Sequence, residues 1–288
     1  MKNTPLFRQL FRTIRDGLRP PPPPPVASSL AEAILSGPEN HRKALQVSPG
    51  ELTWDNGFSL HPQGWNPYRK TAEEIISGCR HYRDSSLARF YTSFCPSSAA
   101  EYLGLNRGDL LLSLPPAASL PPWSLLAPHE AMQRRIEQNR KEEREHPGCA
   151  PSSGGAPELL GLNRFGPVSG TKASFEFSRI QRLVSSIQSE GYCRDRGKDI
   201  KVIALTWKSE IRYVVQGGLH RSAVLAALGV QEIPVILKIS GLIDLSLLQT
   251  SPAVKSGYWP PDLVEEYLAF LFTETGWNRA SRLGLAQP

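Results

Sequence analysis

The stretch YVVQGGLHRSAVLAALGVQEIPVIL, residues 213–237, decides the fold of the second half of this chain. Ile211 to Val215 is rich in β-branched and aromatic residues, a composition typical of a buried strand. Gln216 to Gly218 interrupt this strand, and Arg221 to Leu228 consists of strong helix formers. Gly229 then ends the helix as a left-handed C-terminal residue would. The stretch therefore predicts a strand, a glycine turn, a short buried helix and a second strand.

The start of this helix carries the clearest functional signal. The first N–H groups of a helix have no partner within it and are usually met by a Ser, Thr, Asp or Asn side chain. Here the capping position falls on Gly218 or Leu219, which offer no side-chain acceptor. Either water or an anion satisfies these donors, and the glycines would let a phosphate approach the backbone. His220 and Arg221, in the first turn, would add charged donors to the same ligand.

Length and charge narrow the class of protein. The chain has 288 residues and a formal net charge of +6, which leaves room for one large domain or two small ones. Residues 1–19 hold five basic residues and one acid, and residues 158–240 hold 12 basic and 7 acidic residues. This positive excess near the glycine turn suits an acidic ligand. Because no apolar run approaches the roughly 20 residues of a membrane span and no signal-peptide core is evident, we expect a cytoplasmic protein.

Metal binding is not expected from the cysteines. They are far apart in the sequence and form no paired motif, so neither a zinc site nor a disulfide framework is indicated. These residues are Cys79, Cys95, Cys149 and Cys193.

Composition divides the chain into five segments. We place them at 1–29 (basic amphipathic helix and polyproline spacer), 30–146 (helical and loop-rich region), 147–157 (linker), 158–240 (α+β domain) and 241–288 (helical extension). The basic helix at residues 1–19 would lie on an anionic membrane surface, dock on a partner protein or pack on its own domain. The first of these alternatives would make the protein peripheral at a membrane.

Two features of the region before the linker are interpreted as structural. The charged helix from Glu130 to Glu145 has signs that cancel, which indicates a solvated helix supported by i,i+4 pairs. The aromatic segment Trp54 to Tyr68 is predicted to pack against neighbouring helices rather than to bind a ligand.

After the linker the predicted order of elements is helix, strand, strand, helix, strand, and the fold class is α+β. Apolar residues from Phe175 to Ile187 have helical spacing, and this helix ends before Gly191. The first and last strands along the chain are predicted at Ile200 to Trp207 and Ile233 to Ile239. The glycine turn thus lies at the carboxyl end of a strand, where ligands of α/β sheets commonly bind.

This order, together with QGGLHRSAVLAALG at residues 216–229, resembles the ParB/sulfiredoxin superfamily, whose fold is a small mixed sheet with helices. The resemblance covers Arg164 to about Ser240. It implies a nucleotide site in which the glycine turn and the His-Arg pair hold the phosphates. The implied phosphate-binding residues are Gln216, Gly217, Gly218, His220 and Arg221. Arg221 would alternatively form a structural ion pair with Glu232 or Glu176.

Two branches of the superfamily fit this sequence poorly. Sulfiredoxins act through a cysteine immediately before the His-Arg pair, and this chain has Leu219 there, which carries no thiol. Chromosome-partitioning ParB proteins bind CTP and place a helix-turn-helix domain after the shared unit. Only 48 residues follow Ser240, with a net charge of −2, so specific DNA binding is not expected.

A third branch is similar in logic to the free-serine kinases of the superfamily. These transfer phosphate from a nucleotide to a small hydroxyl substrate, which usually requires a carboxylate to orient or deprotonate the acceptor. The candidate catalytic carboxylates are Glu176, near the start of the preceding helix, and Asp195, in the following loop. Each would alternatively be a helix-dipole partner or a surface charge.

The sequence therefore favours a nucleotide-binding ParB/sulfiredoxin-like protein, as a phosphotransferase or nucleotidase. The implied ligand is a nucleoside di- or triphosphate (ATP, ADP or CTP), with Mg²⁺ as its candidate companion and a small acceptor of unidentified structure. One alternative is a non-catalytic nucleotide sensor or scaffold at a membrane surface. A second alternative is a nucleic-acid-binding or nuclease-like protein.

Overall fold

The computed structural model describes residues 23–36, 43–107, 109–148, 163–194 and 199–286. These residues form an α+β fold with one five-stranded mixed sheet, which confirms the predicted fold class at this level. The predicted helix at residues 1–19 lies outside the described residues, as does most of the predicted linker at 147–157.

The sheet combines three long inner strands with two short outer ones. The strands are β1 (Leu45–Val47), β2 (Leu52–Thr53), β3 (Ile200–Trp207), β4 (Glu210–Gly217) and β5 (Ile233–Ile243). Their order across the sheet is β1-β5-β3-β4-β2. β3 and β4 form an antiparallel hairpin, and β5 pairs in parallel with the other side of β3. The two-residue loop Lys208-Ser209 has positive φ at both positions, 49° and 68°, the conformation that tight hairpins favour.

The helices occupy both halves of the chain. They are α1 (Leu30–Leu35), α2 (Pro67–Ile76), α3 (Ser86–Ser93), α4 (Ala99–Leu103), α5 (Asp109–Ser113), α6 (Pro128–Glu145), α7 (Gly170–Glu190), α8 (Leu219–Ala227), α9 (Leu245–Gln249), α10 (Pro252–Lys255), α11 (Pro261–Thr273) and α12 (Trp277–Arg282).

The stretch at residues 213–237 forms the predicted succession of elements. β4 leads through the glycine turn into α8, and β5 follows. α8 is buried on several sides, because Leu219, Ala223, Val224 and Leu225 all pack in the core. With α7 and β3 in front, the order helix, strand, strand, helix, strand is confirmed. α8 begins two residues earlier than the helix-forming run from Arg221 suggested.

The sheet also includes strands from before the predicted linker. β1 pairs antiparallel with β5, with Leu45 opposite Val235, and β2 pairs in parallel with β4, with Leu52 opposite Tyr213. The predicted domain at 158–240 therefore supplies β3, β4 and most of β5, which continues past the predicted end to Ile243, and the region at 30–146 supplies the two outer strands.

A single hydrophobic cluster joins these regions within the described residues. Trp54, Phe58, Trp65 and Tyr68 are almost fully buried in it, so the aromatic segment packs structurally, as predicted. The ring of Phe58 lies 5.4 Å from that of Phe90 in an edge-on arrangement. None of the helices in the described ranges combines the length and apolar character that crossing a membrane would require.

Candidate functional site

The glycine turn after β4 brings the backbone into the conformation that opens α8. Gly218 is the N-terminal cap of α8, with φ 83° and ψ 27°, and no side chain accepts a hydrogen bond from the first turn. This left-handed conformation is easy for glycine and unfavourable for other residues. A Cβ at Gly218 would lie 2.9 Å from Cγ1 of Ile200 and 3.4 Å from Nη2 of Arg221. The guanidinium of Arg221 therefore lies beside the turn at the start of the helix.

This helix start opens into a cavity of about 1160 Å³. Its wall is strongly basic, because it includes the side chains of Arg134, Arg135, Arg164, Arg179, Arg182, Arg221 and Lys238. Among the described residues that line the cavity, Asp55 is the single acidic one. So many cations around a helix N-terminus create a positive potential that attracts anions.

Among the described residues, most of these arginines have no acidic partner, because only Arg164 makes an ion pair. Within the described part of the chain, the guanidinium groups of Arg179 and Arg221 make no ion pair and no hydrogen bond with protein groups. In particular, Arg221 pairs with neither Glu232 nor Glu176, so the structural ion pairs considered from the sequence are absent among these residues. Arg182, also on α7, donates only from Nε to the Ser178 carbonyl oxygen, at 3.3 Å. Their charge is thus available to a ligand.

Behind the helix start lies a chain of alternating buried charges. His220 Nε2 lies 2.5 Å from Oε2 of Glu176, and the other carboxylate oxygen of Glu176 lies 2.6 Å from Nζ of Lys172. Lys172 Nζ in turn lies 2.5 Å from Oε2 of Glu142, on α6. Glu176 has no exposed surface, and Lys172 and His220 are almost completely buried. The chain links α8 through α7 to α6.

The protonation states in this chain follow from burial and from the neighbouring charges. Burial by itself would raise the pKa of Glu176, but His220 and Lys172 outweigh it and lower that pKa to about 2. Burial lowers the pKa of His220 below its ordinary value of 6.5, although Glu176 opposes the shift. The arrangement is therefore a carboxylate next to a neutral imidazole at pH 7. The imidazole donates its Nε2 proton to Glu176, which leaves Nδ1 as its acceptor nitrogen.

The ring of His220 is held from one side by an aromatic residue of the first half of the chain. Tyr68, on α2, stacks on it with ring centroids 4.3 Å apart and planes inclined by 26°. The Tyr68 hydroxyl group donates to the backbone carbonyl of Asn163, which lines the cavity. Stacking and the Glu176 contact together determine the orientation of the imidazole.

A second basic wall faces the cavity from the first half of the chain and the residues before α7. Arg164 Nη1 lies 2.7 Å from Oδ2 of Asp55, and Tyr102 donates to the other carboxylate oxygen at 2.8 Å. Asp55 raises the pKa of Arg164, outweighing the effect of burial. Arg135, on α6, contacts Ser119 through Nη2 and lies over the Tyr102 ring. Of these two guanidinium groups only that of Arg164 contacts the Asp55 carboxylate, so this wall has net positive charge.

Much of the remaining lining of the cavity is apolar. The larger apolar side chains are Leu120, Trp123, Leu126, Leu183, Ile203 and Ile239, and the polar residues Ser124, Gln138 and Ser186 also line the cavity. An apolar surface next to clustered cations fits a ligand that carries both an anionic group and a hydrophobic or aromatic part.

The sequence-predicted phosphate residues come together here. Gln216, Gly217, Gly218, His220 and Arg221 all line the cavity. The Nε2 atom of His220 contacts Glu176, so Nδ1 is the ring nitrogen left to contact a ligand.

The two predicted carboxylates have different outcomes. Glu176 lies directly behind His220 and is fully buried, so it reaches the cavity only through the imidazole. Asp195 falls outside the described residues.

Sequence reasoning missed the opposite wall of the cavity. Arg134 and Arg135 belong to the helix that was interpreted as solvated, and Glu142 of the same helix binds Lys172. Much of α6 is solvent-exposed and Lys141 pairs with Glu145 four residues on, as that interpretation predicted, but one face of the helix packs toward the site. No local signal marks this face, because its arginines are part of a run of mixed charges.

Comparisons with known proteins add no assignment. Searches against protein-family models, curated proteins and solved structures each find no match to this chain. Within the described ranges there is also no group of three or more His, Cys, Asp or Glu side chains placed to hold a metal ion.

Proposed function

We propose that the cavity binds a nucleoside di- or triphosphate, with its phosphates at the start of α8. The observation that carries the proposal is this helix start, which has a left-handed Gly218, no side-chain cap and an opening into a cavity lined by six arginines. Free N–H groups and the helix dipole favour an anion at such a position. Arg221 beside the turn, and Arg179 with no acidic partner among the described residues, supply charge-assisted hydrogen bonds to phosphate oxygens.

The size and lining of the cavity favour a nucleotide over a single inorganic anion. Its volume of about 1160 Å³ exceeds the needs of one phosphate and is comparable to the roughly 300–1,000 Å³ of small-molecule sites. The apolar surface around Trp123 and Leu126 suits a nucleobase, whose faces pack against aromatic and aliphatic side chains. The cavity would hold a nucleotide and a small acceptor at the same time.

The resemblance to the ParB/sulfiredoxin superfamily supports the same proposal. The order α7, β3, β4, α8, β5 is the order on which the resemblance was based, and the glycine turn follows the carboxyl end of β4. The superfamily assignment is part of the proposal. Leu219 occupies the position of the sulfiredoxin cysteine, so we propose no reduction of sulfinic acids.

Isothermal titration calorimetry with ATP, ADP and CTP, each with and without Mg²⁺, tests the proposal. We expect the wild-type chain to bind at least one nucleotide, and Arg221→Ala to weaken binding roughly 10- to 100-fold, because a charge-assisted hydrogen bond contributes about 1.5–3 kcal/mol. Arg282→Ala is the matched control, since it removes an exposed helical arginine that does not line the cavity. Its affinity should equal that of the wild type.

Two results would count against a nucleotide site. If the wild-type chain binds none of the three nucleotides, the proposal fails. If it instead binds duplex DNA with an affinity that falls steeply as salt rises, the nucleic-acid alternative gains.

A second candidate function adds catalysis to this binding, as phosphoryl transfer to a small hydroxyl compound or to water. It is favoured by the His220–Glu176 pair, which lies in the wall of the same cavity. A sensor without catalysis would need only the phosphate site. A neutral histidine oriented by a buried carboxylate is instead the arrangement that general-base catalysis uses.

A further inference from the structure

The buried charges behind α8 are not explained by stability. Removing Glu176 and Lys172 from water costs several kcal/mol per ion, and a well-packed apolar pair is often as stable as a buried ion pair. The chain nevertheless places a fully buried carboxylate against one atom of one imidazole, with Lys172 on the far side of that carboxylate. This arrangement has a clear consequence for His220: it fixes which ring nitrogen carries the proton.

We propose that His220 is the general base of the cavity, held by Glu176, and that it removes the proton from the water or hydroxyl group that attacks a bound nucleoside triphosphate. The inference depends on the proposed nucleotide site. It assigns His220 a catalytic role in place of the charged phosphate contact expected from the sequence, and it makes Glu176 a positioning residue.

The geometry supports this division of roles. His220 Nε2 donates to Glu176 at 2.5 Å, so the lone pair of the neutral ring is on Nδ1. Tyr68 stacks on the ring and limits its rotation. His220 lines the cavity, whereas Glu176 has no exposed surface. Lys172 keeps Glu176 ionised, so that the carboxylate stabilises the imidazolium that forms instead of taking its proton.

Hydrolysis in this proposal is a displacement at the γ-phosphorus coupled to one proton transfer. The oxygen of water attacks the γ-phosphorus of the nucleoside triphosphate, and an O–P bond forms while the bond from the γ-phosphorus to the β,γ-bridging oxygen breaks. The nucleoside diphosphate leaves with that electron pair, and the water proton moves to Nδ1 of His220. The imidazolium then returns the proton to solvent. A hydroxyl acceptor would replace water without changing the proton transfer.

The groups around His220 set the pH range in which it would act. Glu176 and Lys172 face it from α7, Arg179 lies on the same helix, and Tyr68 faces it from α2. Burial lowers the pKa of His220, Glu176 raises it, and Arg179 and Lys172 lower it. The net result is a pKa of His220 below 6.5. The base is therefore neutral at pH 7, and the reaction should slow only as the pH falls below that pKa.

The test measures phosphate release from ATP and from CTP, with Mg²⁺, between pH 5 and 9, using the full chain. His220→Gln should lower release roughly 10²- to 10⁴-fold while leaving the affinity for ADP within about threefold. In the wild type the rate of phosphate release should fall at low pH as His220 is protonated (the acid limb of the profile). This limb should be absent in His220→Gln. The double variant Lys172→Met/Glu176→Gln removes both buried charges together. Its release should fall roughly 10²-fold, and its acid limb should move to lower pH, because the Glu176 effect on His220 exceeds that of Lys172.

The outcomes separate this inference from the proposed function. If the wild type binds no nucleotide, the proposed function fails. If ADP binds but the wild type releases no phosphate, or His220→Gln releases it as fast as the wild type, His220 is not the base and nucleotide binding stands. Histidine ¹⁵N NMR of the wild type covers the case in which a variant does not fold. An imidazolium at pH 7, or a neutral ring protonated on Nδ1, would overturn the proposal.

Discussion

Two helices of this protein, α8 and α12, begin with the same local structure in different surroundings. Each follows a left-handed glycine, Gly218 or Gly276, with φ 83° and 84° and no side-chain cap. Each carries an arginine three residues after that glycine, Arg221 in α8 and Arg279 in α12. The two helices differ in what lies in front of the first turn, which is packed protein at α12 and a cavity at α8.

The start of α12 is closed by protein. A Cβ on Gly276 would lie 2.1 Å from the carbonyl oxygen of Trp65, so no ligand has room there. Arg279 is 6% exposed, and its guanidinium lies 5.5 Å and 4.7 Å from the ring centroids of Phe58 and Phe94. Its hydrogen-bond acceptors are the backbone carbonyls of Asn56, Glu101 and Tyr102.

The start of α8, in contrast, opens into the basic cavity, and Arg221 pairs with no acid among the described residues. Arg279, whose guanidinium donates to three buried backbone carbonyls, serves packing. In our proposal, an arginine beside an open helix start binds a ligand instead. The same glycine and arginine therefore have a structural role in one helix and a binding role in our proposal for the other, and the surrounding chain makes the difference.

The sharpest test of this contrast is the cost of removing each arginine. Arg279→Met should lower the free energy of unfolding by about 3–5 kcal/mol, because it leaves three buried carbonyl groups without a donor. Arg221→Met should change it by no more than about 0.5 kcal/mol, as surface substitutions usually do. Urea denaturation of both variants measures this. Similar costs for the two would show that Arg221 also has a structural role.

A second test uses acid, because the buried charges behind α8 include a carboxylate and an imidazole that titrate in the acid range, whereas the guanidinium of Arg279 does not. Glu176 has its pKa lowered from 4.5 to about 2, so its contribution to stability is present above pH 4.5 and is lost as the pH falls toward 2. The loss amounts to about 3 kcal/mol. The lowered pKa of His220 has the same sign, because the unfolded chain binds the proton first once the pH drops below 6.5. Arg279, with a pKa lowered by burial to about 10, stays charged throughout.

Urea unfolding at pH 3, 5 and 7 checks this prediction. The wild type should lose stability steadily on acidification, and Lys172→Met/Glu176→Gln should show a flatter profile. An equally steep profile in the double variant would mean that other carboxylates cause the acid sensitivity.

The strands show how much of the fold could be predicted from the sequence. The strand from Ile200 to Trp207 was predicted with the observed bounds, because its composition is local information. β1 and β2, with three and two residues, are too short to show any alternation. They are strands because β5 and β4 lie beside them, which is a tertiary fact.

The candidate site could likewise be predicted only where its signal lies in neighbouring residues of the sequence. The glycine turn could be identified because the missing cap is visible in the residues at the helix start. Glu176 and His220 were both named, but as separate candidates, since their contact joins residues 44 positions apart. Arg134 and Arg135 were not named, because a mixed-charge helix gives no sign of which face packs inward.

The smallest expected effect isolates the phosphate part of the proposed ligand. Pyrophosphate carries the charge of a nucleotide without its base, so it should bind at the start of α8 and not at the closed start of α12. At ten times its dissociation constant it would stabilise the chain by about 1.4 kcal/mol, which corresponds to a rise in Tm of roughly 3–5 °C.

Thermal unfolding with and without pyrophosphate measures this rise, and sodium chloride at matched ionic strength corrects for general screening. Arg221→Ala should lose most of the rise, because its guanidinium lies next to Gly218. Arg282→Ala should keep it, since that side chain does not line the cavity. If both variants respond like the wild type, pyrophosphate binds elsewhere and the open helix start is no more an anion site than the closed one.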